Sequence, residues 1–404
     1  DLPHGLTVPT WQGMVMDTDI IIVGGGPAGL SMARALADSG LSITLLERQP
    51  EAALAEPAYD GREIALTQRS IRALQGLGAW DRITDAEKSP LRAAKVLNGG
   101  SPLALTFDTG DRPEAELGML VPNSAIRRAL FASVRGQNNL TLLTGAAVAS
   151  VKTTNSGAEV ALEDGRTLKA RLLVAADSRL SAMRTQLGIG SEINRLGRAM
   201  LVCQVEHERD HEHIATEWFD VPHTIAMLPL NGRRSSAVIT LPHEEAERLA
   251  AATDEALGEA ITAMYRARLG TMKVASSRHV YPLVTTFAHR FTAPSAALVG
   301  DTAVGMHPVT AHGFNLGLQG AVLLAKKIKA ARRRGEDWAS EAVLGDYARE
   351  HRLASRPIYL ATNTIVRLYG DSRPTAQLAR HAVIRLGRRM PFVQSAVRSI
   401  LLQA

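Results

Sequence analysis

Gly24, Gly26 and Gly29 stand at the G-x-G-x-x-G spacing directly after the apolar run Asp19-Ile-Ile-Ile-Val23, and this junction is the strongest chemical signal in the chain. A strand that runs into three such glycines and then into a helix makes a seat for a dinucleotide pyrophosphate. The first glycine permits the tight turn, the second lets backbone N–H groups approach the phosphates, and the third lets helix and strand pack closely. The helix start adds uncommitted N–H groups and the positive end of its dipole. The next residues extend the signal: a helical stretch from Leu30 to Ser39, a stop at Gly40, a strand from Ser42 to Leu46, and Glu47 at that strand's end. An acid about 20 residues past the last glycine is placed to accept hydrogen bonds from a ribose.

Two later strand ends carry acids as well. Ala296-Ala-Leu-Val-Gly-Asp301 is an apolar strand ending in Gly-Asp, followed by His307-Pro308 and then by His312-Gly313-Phe314-Asn315 at the start of a helix. An aspartate at a strand's carboxyl end can accept from a polyol, and a glycine-rich helix start can hold an anion. Arg171-Leu-Leu-Val-Ala-Ala-Asp177-Ser178 is a third strand ending in an acid.

The elements that must hold these residues are legible at low detail. An amphipathic helix is expected over Thr67–Leu77, a helix from Asn123 through Val134, and a β-meander from Thr141 to Ala175 with a hairpin at Asp164-Gly165. Met200–Val205, Ile214–Trp218, Thr224–Leu230 and Ser236–Leu241 read as an antiparallel sheet with one wet face. A long helix over Glu244–Leu269 and a strand over His279–Leu283 come next, and the final third is helical from Gly313. The fold class is α/β. The expected division assigns 16–75, 119–195 and 284–340 to a discontinuous dinucleotide-binding domain, 76–118 and 196–283 to a substrate domain, and 341–404 to a helical C-terminal region. Residues 1–15 read as a tag or disordered lead.

With 404 residues and 46% apolar residues the chain can bury a substantial core. The lone Cys203 excludes an internal disulfide, no Cys/His cluster has zinc-ligand spacing, and no metal is expected. A reducing, cytoplasmic setting is the default, and no apolar run reaches the length of a membrane span. The net charge of +6 is concentrated in part at Lys326, Lys327, Lys329, Arg332, Arg333 and Arg334, which close a helix where cations favour the negative dipole end. No aromatic residues interleave with them, so nucleic acid is not an expected partner.

The three motifs, in this order, resemble the class A FAD-dependent monooxygenases, over nearly the whole chain from Met16. Asp60-Gly61-Arg62, Leu117-Gly118 before Asn123, and the run from His307-Pro308 to Asn315-Leu316-Gly317 are similar to the ubiquinone-biosynthesis hydroxylases (UbiH/UbiF-like), with the UbiM-like branch nearest. The resemblance implies a Rossmann-like FAD-binding domain of the p-hydroxybenzoate hydroxylase type with an antiparallel-sheet substrate domain. It also implies the reaction: reduced flavin captures dioxygen as a C4a-hydroperoxide, whose distal oxygen passes to an electron-rich ring. The substrate would be a polyprenylated quinol or phenol such as a demethoxyubiquinol. NAD(P)H would donate electrons transiently, since no second strand-glycine-helix unit is present.

Carried over by position, Gly24, Gly26, Ala28 and Gly29 would hold the pyrophosphate, and Glu47 with Arg48 the adenosine end. Arg62 and Asn123 would reach the phosphates or the ribityl chain, Asp177 would lie beside the cofactor, and Asp301 would accept from the ribityl hydroxyls. The turn from Pro308 to Gly313, with Asn315 behind it, would lie along the flavin's pyrimidine edge. Three departures stand out: Ser178 replaces the family's glycine, Ala311-His312 replaces Gly-Gln, and Val304 stands where relatives carry a histidine. His312 is therefore the candidate catalytic residue, because histidine changes charge near neutral pH and could help deprotonate a phenol.

Two other functions share these features: the same flavin chemistry on a soluble phenolic metabolite or antibiotic, and a non-catalytic prenyl-binding protein of the same fold. Apolar repeats at Leu378, Ala382, Leu386 and at Val393, Val397, Ile400, flanked by arginines, read as basic amphipathic helices. They would serve peripheral contact with the inner face of the cell membrane or with a biosynthetic complex, or pack internally.

Overall fold

The computed structural model describes residues 17–100, 104–108, 116–220, 222–308 and 312–370, with the backbone alone given at 10–11, 14–15 and 368–370. β1 (Thr18–Val23) carries Ile20, Ile21 and Ile22, all fully buried, as a central parallel strand covered on both faces requires. Pro27 opens α1 (Pro27–Ala35), and β2 (Ile43–Glu47) lies parallel to β1. β3 (Glu63–Thr67) runs into α2 (Gln68–Gly76), whose start is capped by the Thr67 hydroxyl. β4 (Ser89–Leu91), β5 (Ala93–Asn98), β6 (Leu105–Phe107) and β7 (Gly118–Pro122) lead into α3 (Asn123–Val134). β8 (Leu140–Thr144) pairs parallel with β2. The expected meander is present as β9 (Val148–Thr154), β10 (Gly157–Leu162) and β11 (Thr167–Ala175), the last parallel to β1.

After α4 (Ala182–Gln186) come β12 (Ser191–His207), β13 (Ile214–Asp220), β14 (His223–Leu230) and β15 (Arg234–Pro242). Two helices follow, α5 (His243–Ala250) and α6 (Asp254–Met264), then β16 (His279–Ala288). β17 (Ala296–Leu298) rejoins the first sheet beside β11, β18 (Val304–Gly305) pairs with β16, and α7 (His312–Arg333) and α8 (Glu341–Gly370) close the described chain.

The first sheet has the order β8-β2-β1-β11-β10-β9, and the second β18-β16-β12-β15-β14-β13-β5-β6. A small third sheet, β3-β7-β4, bridges them. The second sheet is antiparallel apart from the parallel pair of β13 with β5. One of its faces packs Leu201, Trp218, Ile225 and Ile239 against Leu257 and Ile261 of α6.

The opposite face, which alternation predicts to be wet, is covered at β12 and β16 and stays partly accessible towards β13, β14 and β15. A Cβ added at Gly61 would come within 2.8 Å of His279 and 3.5 Å of Val202, and the Tyr281 hydroxyl donates to the Asp60 carbonyl at 2.6 Å. Alternation separates a more apolar face from a less apolar one; it carries no information about a distant segment that covers the second.

The expected helix over Glu244–Leu269 is two. Thr253 caps α6 by accepting from Ala256 N, and after Met264 the backbone turns left-handed at Arg266 and Ala267. The domain limits expected at 195/196 and 283/284 fall inside β12 and β16. Half of the basic cluster at the end of α7 is paired within the chain: Lys327 with Asp346 and Glu350, Lys329 with Asp38, and Arg334 with Glu336. In the lead, Thr10–Trp11 pairs with Met14–Val15. The tail repeats over 378–400 lie outside the described residues.

Candidate active site

Two of the three motif glycines are demanded by the protein's own packing. Gly24 has φ +111°, and a Cβ there would lie 2.4 Å from the Ala176 carbonyl oxygen; one at Gly29 would lie 1.9 Å from the Gly24 oxygen. Gly26 differs. A Cβ there would meet no atom within 4 Å, so nothing in the chain explains the glycine, and its bare backbone faces open space at the start of α1. As N-cap it offers no side-chain hydrogen bond to that helix start. A cradle that a Cβ would fill, over uncapped N–H groups, fits a pyrophosphate. Ala28, in the first turn of α1, touches Gly300, where φ is +65° and a Cβ would come within 2.6 Å of Ala28 Cβ, so the first and last motifs pack directly together.

Glu47 is where the spacing puts it. Its Oε2 accepts from Gly25 N at 2.7 Å and its Oε1 from Gln49 N at 2.8 Å, which orients the carboxylate against the glycine turn. Arg48 beside it is exposed.

Arg62 and Asn123 meet through Asp60, a residue of the same motif for which its position in the sequence suggests no role. Arg62 Nη2 donates to Asp60 Oδ2 at 2.6 Å and Asn123 Nδ2 to the same oxygen at 2.8 Å, while Asn123 N donates to the Arg62 carbonyl at 2.9 Å. Burial works against the charge on Asp60, but Arg62 and Asn123 outweigh it and hold the carboxyl below its ordinary range. The Arg62 guanidinium also lies 5.5 Å from the Tyr281 ring centroid.

β11 and β17 run side by side, Ala175 opposite Leu298, so their terminal acids emerge at one edge. Asp301 Oδ2 accepts from Arg179, and Asp177 Oδ1 accepts from the Ser181 hydroxyl at 2.6 Å and the Thr302 hydroxyl at 3.1 Å. Asp177 thus knits the two strand ends together and holds a positioning place. Ser178 is exposed and its φ is not positive, so serine sits there without strain. Val304 is buried in the main core, as packing predicts.

His312 is the first residue of α7 and is buried; residues 309–311 of the turn before it lie outside the described chain. A Cβ at Gly313 would make only an ordinary contact with Met306. Asn315 donates from Nδ2 to the Ala65 carbonyl at 2.9 Å and accepts from Thr67 N at 3.2 Å, so its amide locks α7 onto β3. Two titratable groups here are given no role by the sequence, although His307 lies in one of its motifs. His307 next to Pro308 is buried; desolvation first, then the charges of Arg179 and Arg198, push its pKa down to about 4. Glu63 accepts from Gln204 Nε2 at 3.0 Å, and burial pushes its carboxyl up to about 7.

The FAD binding domain family profile matches residues 17–359. Ubiquinone hydroxylase UbiM of Neisseria meningitidis is 45% identical over 382 residues, which cover 94% of this chain and 83% of the relative. The chain belongs to the family of FAD-dependent ubiquinone hydroxylases. A second relative, ubiquinone hydroxylase UbiL of Rhodospirillum rubrum, is 33% identical over 96% of this chain and 90% of its own. The solved structure of p-nitrophenol 4-monooxygenase PnpA from Pseudomonas putida superposes with a TM-score of 0.75 at 17% identity, over 96% of this chain and 99% of that one, a likeness of fold alone. The cofactor of these flavoprotein monooxygenases is FAD, and the Gly26 cradle, the oriented Glu47 carboxylate, the Asp60–Arg62–Asn123 cluster and Asp301 fit its pyrophosphate, ribose and ribityl parts in turn.

Proposed function

We propose that this flavoprotein hydroxylates the aromatic ring of a polyprenylated quinol or phenol precursor of ubiquinone, such as a demethoxyubiquinol. NAD(P)H supplies the electrons and dioxygen the inserted oxygen atom, with the second oxygen leaving as water. The observation that carries this reading is the 45% identity to a ubiquinone hydroxylase across nearly the whole chain. Bound FAD supplies the electron transfer and the activation of dioxygen.

The protein's own residues bind and orient. The Gly26 backbone and the α1 start hold the pyrophosphate, Glu47 accepts from the ribose, Arg62 and Asn123 hold the chain between phosphate and ribityl, and Asp301 accepts from the ribityl hydroxyls. The start of α7 favours negative charge placed on it by about 0.3–2 kcal/mol. His312, at that start, is proposed to exchange a proton there.

No described helix is long and apolar enough to cross a membrane. A prenylated substrate nevertheless resides in a bilayer, and the basic amphipathic repeats of the tail are proposed to touch an anionic membrane surface. The decisive experiment is quinone profiling after removal of the gene. Accumulation of a precursor lacking one ring hydroxyl is expected, and an unchanged quinone pool would refute the reading.

A further inference from the structure

The second sheet carries a carboxyl that the proposed function does not use. Glu217 of β13 stands opposite Val96 of β5 and Ala226 of β14; Ala226 stands opposite Val238, Val238 opposite Val202, and Val202 opposite His279. These side chains form one row on the face turned towards the Gly61 loop, since the next row, Trp218, Ile225, Ile239 and Leu201, belongs to the helix-covered core. Three strand spacings of about 4.8 Å place Glu217 about 14 Å from Val202, across a floor of small apolar side chains.

Glu217 is largely enclosed by protein, yet part of its surface stays accessible, as does that of Val238 and Leu228 on the same face, so this end of the face can be reached by a ligand. No hydrogen bond or ion pair joins Glu217 to another described residue. Its neighbours from β5 and β14 are Val96, Ala226, Thr224 and Leu228, none of them charged. Burial alone pushes its carboxyl up to about 8, so near neutral pH it is an O–H donor. An uncompensated carboxyl among apolar side chains costs stability, and nothing in the packing of this chain calls for one.

We propose that Glu217 is the substrate-side hydrogen-bond partner on this face: its carboxyl bonds the ring oxygen of the phenol or quinol and so orients the ring over the sheet. The inference rests on the proposed function for the class of ligand. The floor of Ala226, Val238 and Val202 suits the flat, apolar ring face, and the carboxyl at its end supplies the polar contact that fixes orientation. Near neutral pH the bond runs from the Glu217 O–H to the ring oxygen; above about pH 8 the carboxylate accepts from the phenolic O–H, and no covalent bond changes.

The test is calorimetric binding of a short-chain 2-prenylphenol to FAD-loaded, oxidised protein without NAD(P)H. Glu217→Leu is expected to weaken binding about tenfold or more, the loss of one buried hydrogen bond, with FAD content unchanged. Glu217→Gln, which keeps a donor, should stay within about threefold of the parent. Ala226→Leu, which fills the floor without touching the carboxyl, should also weaken binding. Equal affinity of parent and Glu217→Leu protein would overturn the assignment while leaving the proposed function standing. A parent protein that holds FAD but binds no prenylphenol would overturn both.

Discussion

Arg179 donates two hydrogen bonds to Oδ2 of Asp301, at 2.9 and 3.2 Å, and a third to the Val284 carbonyl at 2.6 Å. One guanidinium therefore joins the loop after β11, the Gly-Asp turn after β17, and β16 of the second sheet. It is also one of two charges that keep His307 neutral. Arg179→Gln should let the His307 pKa rise from about 4 while burial, the larger cause, keeps it below the ordinary histidine value. Titration of the ring by NMR checks this, and an unmoved pKa would show that the charge does not reach it. Asp301→Ala should weaken FAD by about 1.5–3 kcal/mol, the range for a hydrogen bond to a charged group, as read by flavin fluorescence on titration.

The motif glycines should separate by their effects. Gly26→Val introduces atoms where the protein has none, so the FAD-free protein should keep its melting temperature while FAD binding is lost. Gly29→Val drives a side chain into the Gly24 carbonyl and should cost the fold itself, several kcal/mol. Identical melting temperatures for the two variants would contradict the geometry.

His312→Gln should leave FAD content and the rate of flavin reduction by NAD(P)H near the parent values. Hydroxylation should fall and its pH dependence between about 5 and 8 should change. Full activity with an unchanged pH profile would return His312 to a packing role.

Glu63 makes stability depend on pH. Its carboxyl titrates near 7 in the folded protein against an ordinary value of 4.5, so between these limits the folded state holds a proton that the unfolded state has released. Its contribution is fully present below pH 4.5 and is lost as pH rises to about 7, up to about 3 kcal/mol at roughly 1.36 kcal/mol per pH unit. Urea unfolding of the Glu63→Gln protein should lack this falling contribution, so its stability should change with pH less negatively over the window than the parent's, on top of a fall from Glu217 and opposing rises from the buried His307 and His351, both held near 4.

Removal of 374–404 should abolish flotation with anionic vesicles at low salt and leave FAD content intact. Full-length protein that ignores such vesicles would end the membrane proposal. Loss of soluble expression on deletion would mark the tail as part of the core instead.

The sequence alone determined the strand-turn-helix at Gly24–Gly29, the acid at Glu47, the strand ending in Asp301 and the placing of the cations at the C-terminal end of α7, because each is written in contiguous residues whose spacing has one physical use. Glycine identity could not show that Gly24 and Gly29 serve packing while Gly26 alone keeps space open, since that depends on Ala176 and on the turn's own curvature. Nor could it show that Asp60 gathers Arg62 and Asn123, that Asn315 spends its amide on the β3 backbone, or that Asp177 holds Thr302, because these partners are 63 to 250 residues apart or set by strand register. Glu63 and Glu217 read locally as ordinary polar positions on half-wet strands. Only the folded packing around them took them out of water and raised both carboxyls.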